Sequence, residues 1–163
     1  MIVDASVVID AVTDAGSRGQ AARQVLADHP ASEPLLAPGH LAIELLSGLV
    51  AAANRPTHPL QPAQIERALL DAEALEITIE ATPWGDVRRA WVLAQTSLRY
   101  PDAVYVASAE RHSTALLTSD ARIERSRAPI RCPIITIQPN GDGSRARAAL
   151  ELSPQDNGVT SFS

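Results

Sequence analysis

Along this chain, short β-branched or apolar runs alternate with longer stretches whose apolar positions recur at helical spacing. Ile2-Val3-Asp4-Ala5-Ser6-Val7-Val8-Ile9 opens as a strand and turns into a short helix after Ser6. Residues 19–28, rich in Ala and Arg with apolar Val25 and Leu26, predict a helix, and Leu35-Leu36-Ala37 a short strand closed by Pro38 and Gly39. Residues 40–53 predict a long apolar helix that stops at Asn54 and Pro56. Pro62 opens a helix to Leu75, with Ile65, Leu69 and Leu70 near helical spacing. Glu76-Ile77-Thr78-Ile79 alternates as an edge strand does. Thr82 and Pro83 are placed as N-cap and first residue of a helix to Leu98, and Pro101 starts an almost wholly apolar helix to His112. Ala115-Leu116-Leu117-Thr118 is a short buried strand leading to Ser119-Asp120, and Ile134-Ile135-Thr136-Ile137 is the last strand.

Short buried strands alternating with helices predict an α/β fold, a short and mostly parallel sheet flanked by helices. From Pro139 the composition turns to Gly, Ser, Asn, Asp and Ala. We therefore expect one domain over residues 1–138 and a flexible C-terminal tail over 139–163, with at most a helical turn at 145–152.

Composition removes several chemistries. All fourteen basic residues are Arg and none is Lys, which excludes a P-loop and Schiff-base catalysis. Cys132 is the single cysteine, so an intramolecular disulfide and a Cys-rich zinc site are both ruled out; a small buried side chain is expected there. No apolar run is long enough for a membrane span, and the start lacks a signal-peptide pattern, so cytoplasmic residence is expected. The net charge of −5 is uneven: residues 88–131 hold eight Arg against four acids, and residues 1–87 four Arg against twelve acids. A locally basic segment can meet phosphates within an acidic chain. With aromatics at 3%, a base-stacking platform is not expected.

Four acids then stand out. Asp4 closes the first strand and Asp120 follows a later one, and ligands of open α/β sheets bind beyond the carboxyl ends of strands. Each could equally be a turn or helix N-cap. Glu44 lies within Leu41-Ala42-Ile43-Glu44-Leu45-Leu46, on a face shared with His40, Ser47 and Gly48. A carboxylate buried there without a partner is costly, and a cation would remove the penalty. Asp102 sits in the first turn of an apolar helix, where the helix dipole alone would favour it. If the four converge, their repulsion requires a divalent cation, and oxygen-only ligands suit Mg²⁺ or Mn²⁺ better than zinc. The four His show no metalloprotease spacing and are expected to be structural or exposed.

These motifs resemble a PIN domain, and within it the VapC family of toxin ribonucleases from bacterial toxin–antitoxin pairs. The resemblance covers residues 1–138 and rests on Ile2-Val3-Asp4-Ala5-Ser6-Val7-Val8, the helix bearing Glu44, Asp102-Ala103-Val104-Tyr105-Val106-Ala107-Ser108-Ala109-Glu110, and Leu116-Leu117-Thr118-Ser119-Asp120-Ala121-Arg122. It implies a PIN-like three-layer sandwich in which Asp4, Glu44, Asp102 and Asp120 are the catalytic, metal-binding acids. Ser6 would be a hydroxyl beside Asp4, and Thr118 one that orients the metal's surroundings. It further implies metal-activated hydrolysis of RNA leaving a 5′-phosphate and a 3′-hydroxyl, a homodimer, and a cognate antitoxin covering the site. Leu26, Val50 and Leu70 are expected in a groove for an amphipathic antitoxin helix. The chain departs from the pattern at Pro101, directly before Asp102, which would alter that helix start, and in the tail after Gln138. Two rivals remain: a PIN-like module that binds RNA or protein without catalysis, and a small-molecule phosphohydrolase. The latter is disfavoured because Ser6 stands where a second acid would be needed.

Overall fold

The computed structural model describes residues 1–138. The expected tail over 139–163, with its turn at 145–152, lies outside the described residues. β1 (Ile2–Val3), β2 (Leu36–Pro38), β3 (Thr78–Glu80), β4 (Leu116–Thr118) and β5 (Ile134–Thr136) form one sheet in the order β3-β2-β1-β4-β5. Every pairing is parallel, so the sheet is wholly rather than mostly so. The central strands are buried on both faces: Ile2, Val3, Leu116, Leu117 and Thr118 have no measurable exposure. That explains why they read as continuous apolar runs rather than alternating ones.

Seven helices flank the sheet: α1 (Ala5–Thr13), α2 (Ser17–Ala27), α3 (Leu41–Ala53), α4 (Pro62–Glu73), α5 (Trp84–Ala94), α6 (Tyr100–Arg111) and α7 (Ala121–Glu124). Helix α6 is buried from Ala103 to Ala109 because it lies across β2, β1 and β4 while α5 packs against it. Helix α1 gathers α2, α3 and α4. Where α3 packs on α1, Gly48 leaves room for the end of the Ile9 side chain, which an added Cβ would meet at 2.5 Å from Cδ1. Glu44 lies one turn before Gly48 on the same face.

Three sequence expectations shift. Glu76 takes a left-handed φ of 53°, so the edge strand begins only at Thr78. Pro83 rather than Thr82 is the N-cap of α5, which ends at Ala94 rather than Leu98. Leu26 faces the core at 8% exposure, so it lines no surface groove. Among the described residues, no helix is long and apolar enough to cross a membrane.

Candidate active site

The strand order reverses around β1, so the ends of β1 and β4 flank the point where connections leave the sheet in opposite directions. A crevice forms at such a point. Asp4 directly follows β1 and Asp120 lies just beyond β4. Both are also helix N-caps: Asp4 accepts the Ser6 N–H at 3.1 Å and Asp120 the Arg122 N–H at 2.9 Å. Capping accounts for one oxygen of Asp4, Oδ1, and leaves the other for side-chain donors.

That other oxygen, Oδ2, accepts the Thr118 hydroxyl at 2.6 Å and the Ser6 hydroxyl at 3.0 Å. Thr118 Oγ1 in turn accepts the Asp120 N–H at 3.0 Å, and Ser6 Oγ the Ser119 N–H at 3.1 Å. Two hydroxyls thus tie the ends of β1 and β4 together and fix the Asp4 carboxylate between them. Burial pushes the Asp4 carboxyl above its ordinary range; the bonds from Thr118 and Ser6 oppose this, and the nearby charge of Asp102 adds to it.

Asp102 stands in the first turn of α6, with Pro101 accommodated at the start of that helix. Arg99, the residue capping α6, forks onto Asp102 through Nε at 2.9 Å and Nη2 at 3.1 Å. The same Nη2 lies 3.4 Å from Asp120 Oδ2. Arg122 holds Asp120 from the other side, with Nη2 at 2.6 Å from Oδ2. Its hydrogen bonds keep the Asp120 carboxyl below the ordinary range despite partial burial.

Glu44 forms a further wall. Its carboxylate is 3.5 Å from His40 Nε2, within ion-pair reach but without hydrogen-bond geometry. The His40 ring lies 4.7 Å from that of Tyr105, on the buried face of α6. Tyr105's hydroxyl is buried and makes no well-formed hydrogen bond. Its acidity is strongly suppressed, first by burial and then by the charges of Glu44 and Asp4, which both reach it. His40 thus touches both Glu44 and Tyr105, 3.5 Å from the one and ring to ring at 4.7 Å from the other.

Arg99 brings Asp102 and Asp120 to one guanidinium nitrogen and the charge of Asp102 reaches Asp4, while the contact of Glu44 is with His40. Among the described residues, no three Asp, Glu, His or Cys side chains surround a single metal-sized point. The contacts give the reason: Arg99 and Arg122 draw Asp102 and Asp120 towards themselves, while Asp4 is fixed by hydroxyls. The donors are nonetheless all oxygens, the set that suits Mg²⁺ or Mn²⁺. Positive charge is already drawn between Asp102 and Asp120.

Arg99, Arg122 and Tyr105 were not among the residues expected at the site, and His40 was expected only on the face of Glu44. The signals were present as spacing. Arg99 and Tyr105 lie three residues either side of Asp102, Arg122 two after Asp120, and His40 four before Glu44. Cys132, expected to be buried, is only half-buried: its thiol sits 3.9 Å from the Val106 carbonyl, and burial pushes it up to about 11.

The family model for the PIN domain matches residues 1–128. Ribonuclease VapC3 of Mycobacterium tuberculosis is 31% identical over 126 residues, covering 77% of this chain and 86% of that protein. Among solved structures, a toxin–antitoxin complex from Klebsiella pneumoniae superposes with a TM-score of 0.60 at 19% identity, over 84% of this chain and 97% of the other. M. tuberculosis VapC20, a toxin that cleaves the sarcin–ricin loop, gives 0.58 at 15% identity, over 76% and 92% of the two chains. VapBC2 of Rickettsia felis, bound to a DNA fragment from its promoter, gives 0.58 at 11% identity, over 84% and 98%.

Proposed function

The chain belongs to the PIN-domain family, in its VapC-type group of ribonuclease toxins, and from that premise we propose that it is a divalent-metal-dependent endoribonuclease. Asp4, Glu44, Asp102 and Asp120 would hold Mg²⁺ or Mn²⁺. The observation that carries this is the junction at the ends of β1 and β4. There a buried Asp4, held by Thr118 at 2.6 Å, faces two further carboxylates close enough to share one guanidinium nitrogen. Three carboxylates gathered beyond the carboxyl ends of β1 and β4 repel one another, and a cation relieves them.

When bound, the divalent ion supplies a water of lowered pKa and neutralises charge developing on the phosphate. The chain's own residues do the positioning. Ser6 and Thr118 hold the Asp4 carboxylate in place at the end of β1, through both of its oxygens. The backbone of Asp120 is fixed through the same Thr118 hydroxyl, so two acids share one brace. Glu44 would add its carboxylate from α3, where His40 contacts it and packs on the buried Tyr105. Hydrolysis through such a site leaves a 5′-phosphate and a 3′-hydroxyl.

An antitoxin partner follows from the family and has a surface suited to it. Helix α3 exposes Ile43, Leu46 and Val50, and its neighbour α4 exposes Leu69 and Leu70. Single exposed apolar residues are ordinary, whereas a stripe at helical spacing offers a seat for an amphipathic helix. Trp84, Trp91 and Val92 on α5 form a second exposed apolar face, the one we assign to a second copy in a homodimer. Action in the cytoplasm, on RNA, accords with this role. A non-catalytic binding module remains the second reading, because Arg99 and Arg122 already neutralise Asp102 and Asp120 without metal. Incubation with total RNA separates the two. Cleavage should appear with Mg²⁺ or Mn²⁺, stop in excess EDTA and return on adding metal back; intact RNA throughout would favour the binding module.

A further inference from the structure

Arg99 makes its side-chain hydrogen bonds, among the described residues, only to Asp102 and Asp120, two of the acids assigned above to the metal. Resting on that assignment, we propose that Arg99 is an exchanging arm. It neutralises Asp102 and Asp120 before the divalent cation arrives, and afterwards turns its guanidinium to a phosphate of the RNA.

The contacts have the form such a role needs. The guanidinium is 62% exposed while the carboxylates it grips are at 13% and 16%, so the cation end can leave while the acids stay. Its backbone, by contrast, is fixed as the cap of α6, where the Ala103 N–H bonds to the Arg99 carbonyl at 3.0 Å. The arm therefore pivots about a rigid point next to Asp102. A guanidinium fork fits a carboxylate and a phosphate with the same two-point geometry, so exchanging one for the other needs no new donor. Asp120 keeps Arg122 as a second partner on its outer side, so Arg99 is the bridging cation and Arg122 a flanking one. Nearby positive charge for a polyanion comes from Arg127, exposed and with its N–H bonded to Ser97 Oγ two residues before Arg99.

An exchanging arm gives changes of opposite sign in two binding measurements, which a merely structural residue does not. In the full chain, Arg99→Gln removes the competitor for Asp102 and Asp120, so Mn²⁺ measured by titration calorimetry should bind about tenfold more tightly. The same variant should bind a single-stranded RNA in Ca²⁺ about tenfold more weakly, with RNA integrity checked on a gel. Arg99→Lys keeps the charge but loses the fork, and should fall between wild type and Arg99→Gln in both. Arg67→Gln removes a comparable i,i+4 pair with Asp71 on α4 and should change neither. Unchanged or weaker Mn²⁺ binding in Arg99→Gln, or undiminished RNA binding, overturns the exchange. If wild type itself takes up no Mn²⁺, the metal assignment fails first, and the exchange with it.

Discussion

Thr118 shows how much one hydroxyl can carry. It has no solvent exposure, donates to Asp4 at 2.6 Å and accepts the Asp120 N–H at 3.0 Å. Thr118→Val is nearly isosteric but leaves a buried carboxylate and a backbone N–H each short of a partner. Asp4 keeps its bonds from Ser6, so the loss should be near that of one unsatisfied group, a drop of about 1–3 kcal/mol in urea unfolding. The loss should shrink in an Asp4→Asn background, because the groups act as a pair; a double-mutant cycle returning no coupling would contradict the bracing role. From the sequence, Thr118 was available only through the resemblance, since nothing in Leu116-Leu117-Thr118 distinguishes a bracing hydroxyl from a β-branched strand residue.

At the scale of elements, α5 and α6 form an antiparallel pair joined by ion pairs at the end away from the crevice. Arg89 forks onto Glu110 at 2.6 and 2.9 Å and also donates to the Pro129 carbonyl, while the Arg131 N–H caps Glu110 at 2.8 Å. Burial alone would raise the Glu110 carboxyl, but Arg89 and the Arg131 amide more than offset it and hold it below the ordinary 4.5. A carboxylate lowered on folding stabilises above its unfolded pKa and loses that contribution as pH falls through the folded one. Glu110→Gln should thus cost about 1–2 kcal/mol at neutral pH, with the difference from wild type closing below the ordinary glutamate range. Thermal melts across pH check this, and a gap that persists unchanged into strong acid would exclude the charge as its source. The helices and strands themselves were largely legible, because buried strands read as apolar runs and Pro62 and Pro101 mark helix starts. Four-residue α7 was not, being too short to show a period, and Glu76 carried no sign of its left-handed turn. The acids were visible as polar residues in apolar settings. The arginines that grip them were not, because long exposed side chains reveal partners only through the fold.

For the whole molecule, residues 139–163 offer few large apolar side chains with which to join the core, Leu150 and Leu152 foremost. A chain truncated after Gln138 should therefore keep its melting temperature to within a few degrees, equivalent to about 1 kcal/mol or less. A larger loss would show that the remaining residues belong to the domain. The partner surface is likewise testable apart from the chemistry. Val50→Arg places a charge in the α3 stripe, away from the acids, and should abolish capture of the protein encoded beside this chain while RNA cleavage continues. Retained capture would move the antitoxin elsewhere. The central claim is that the acids at the ends of β1 and β4 hold the metal that cuts RNA. The most direct test is the cleavage rate of one RNA in Mg²⁺ and in EDTA, for wild type beside Asp4→Asn and Asp102→Asn, with folding verified by circular dichroism. The account predicts metal-dependent cuts bearing 5′-phosphates in wild type and a loss of at least about a hundredfold in each variant. Wild-type rates in either variant, or cleavage that persists in excess EDTA, would contradict it.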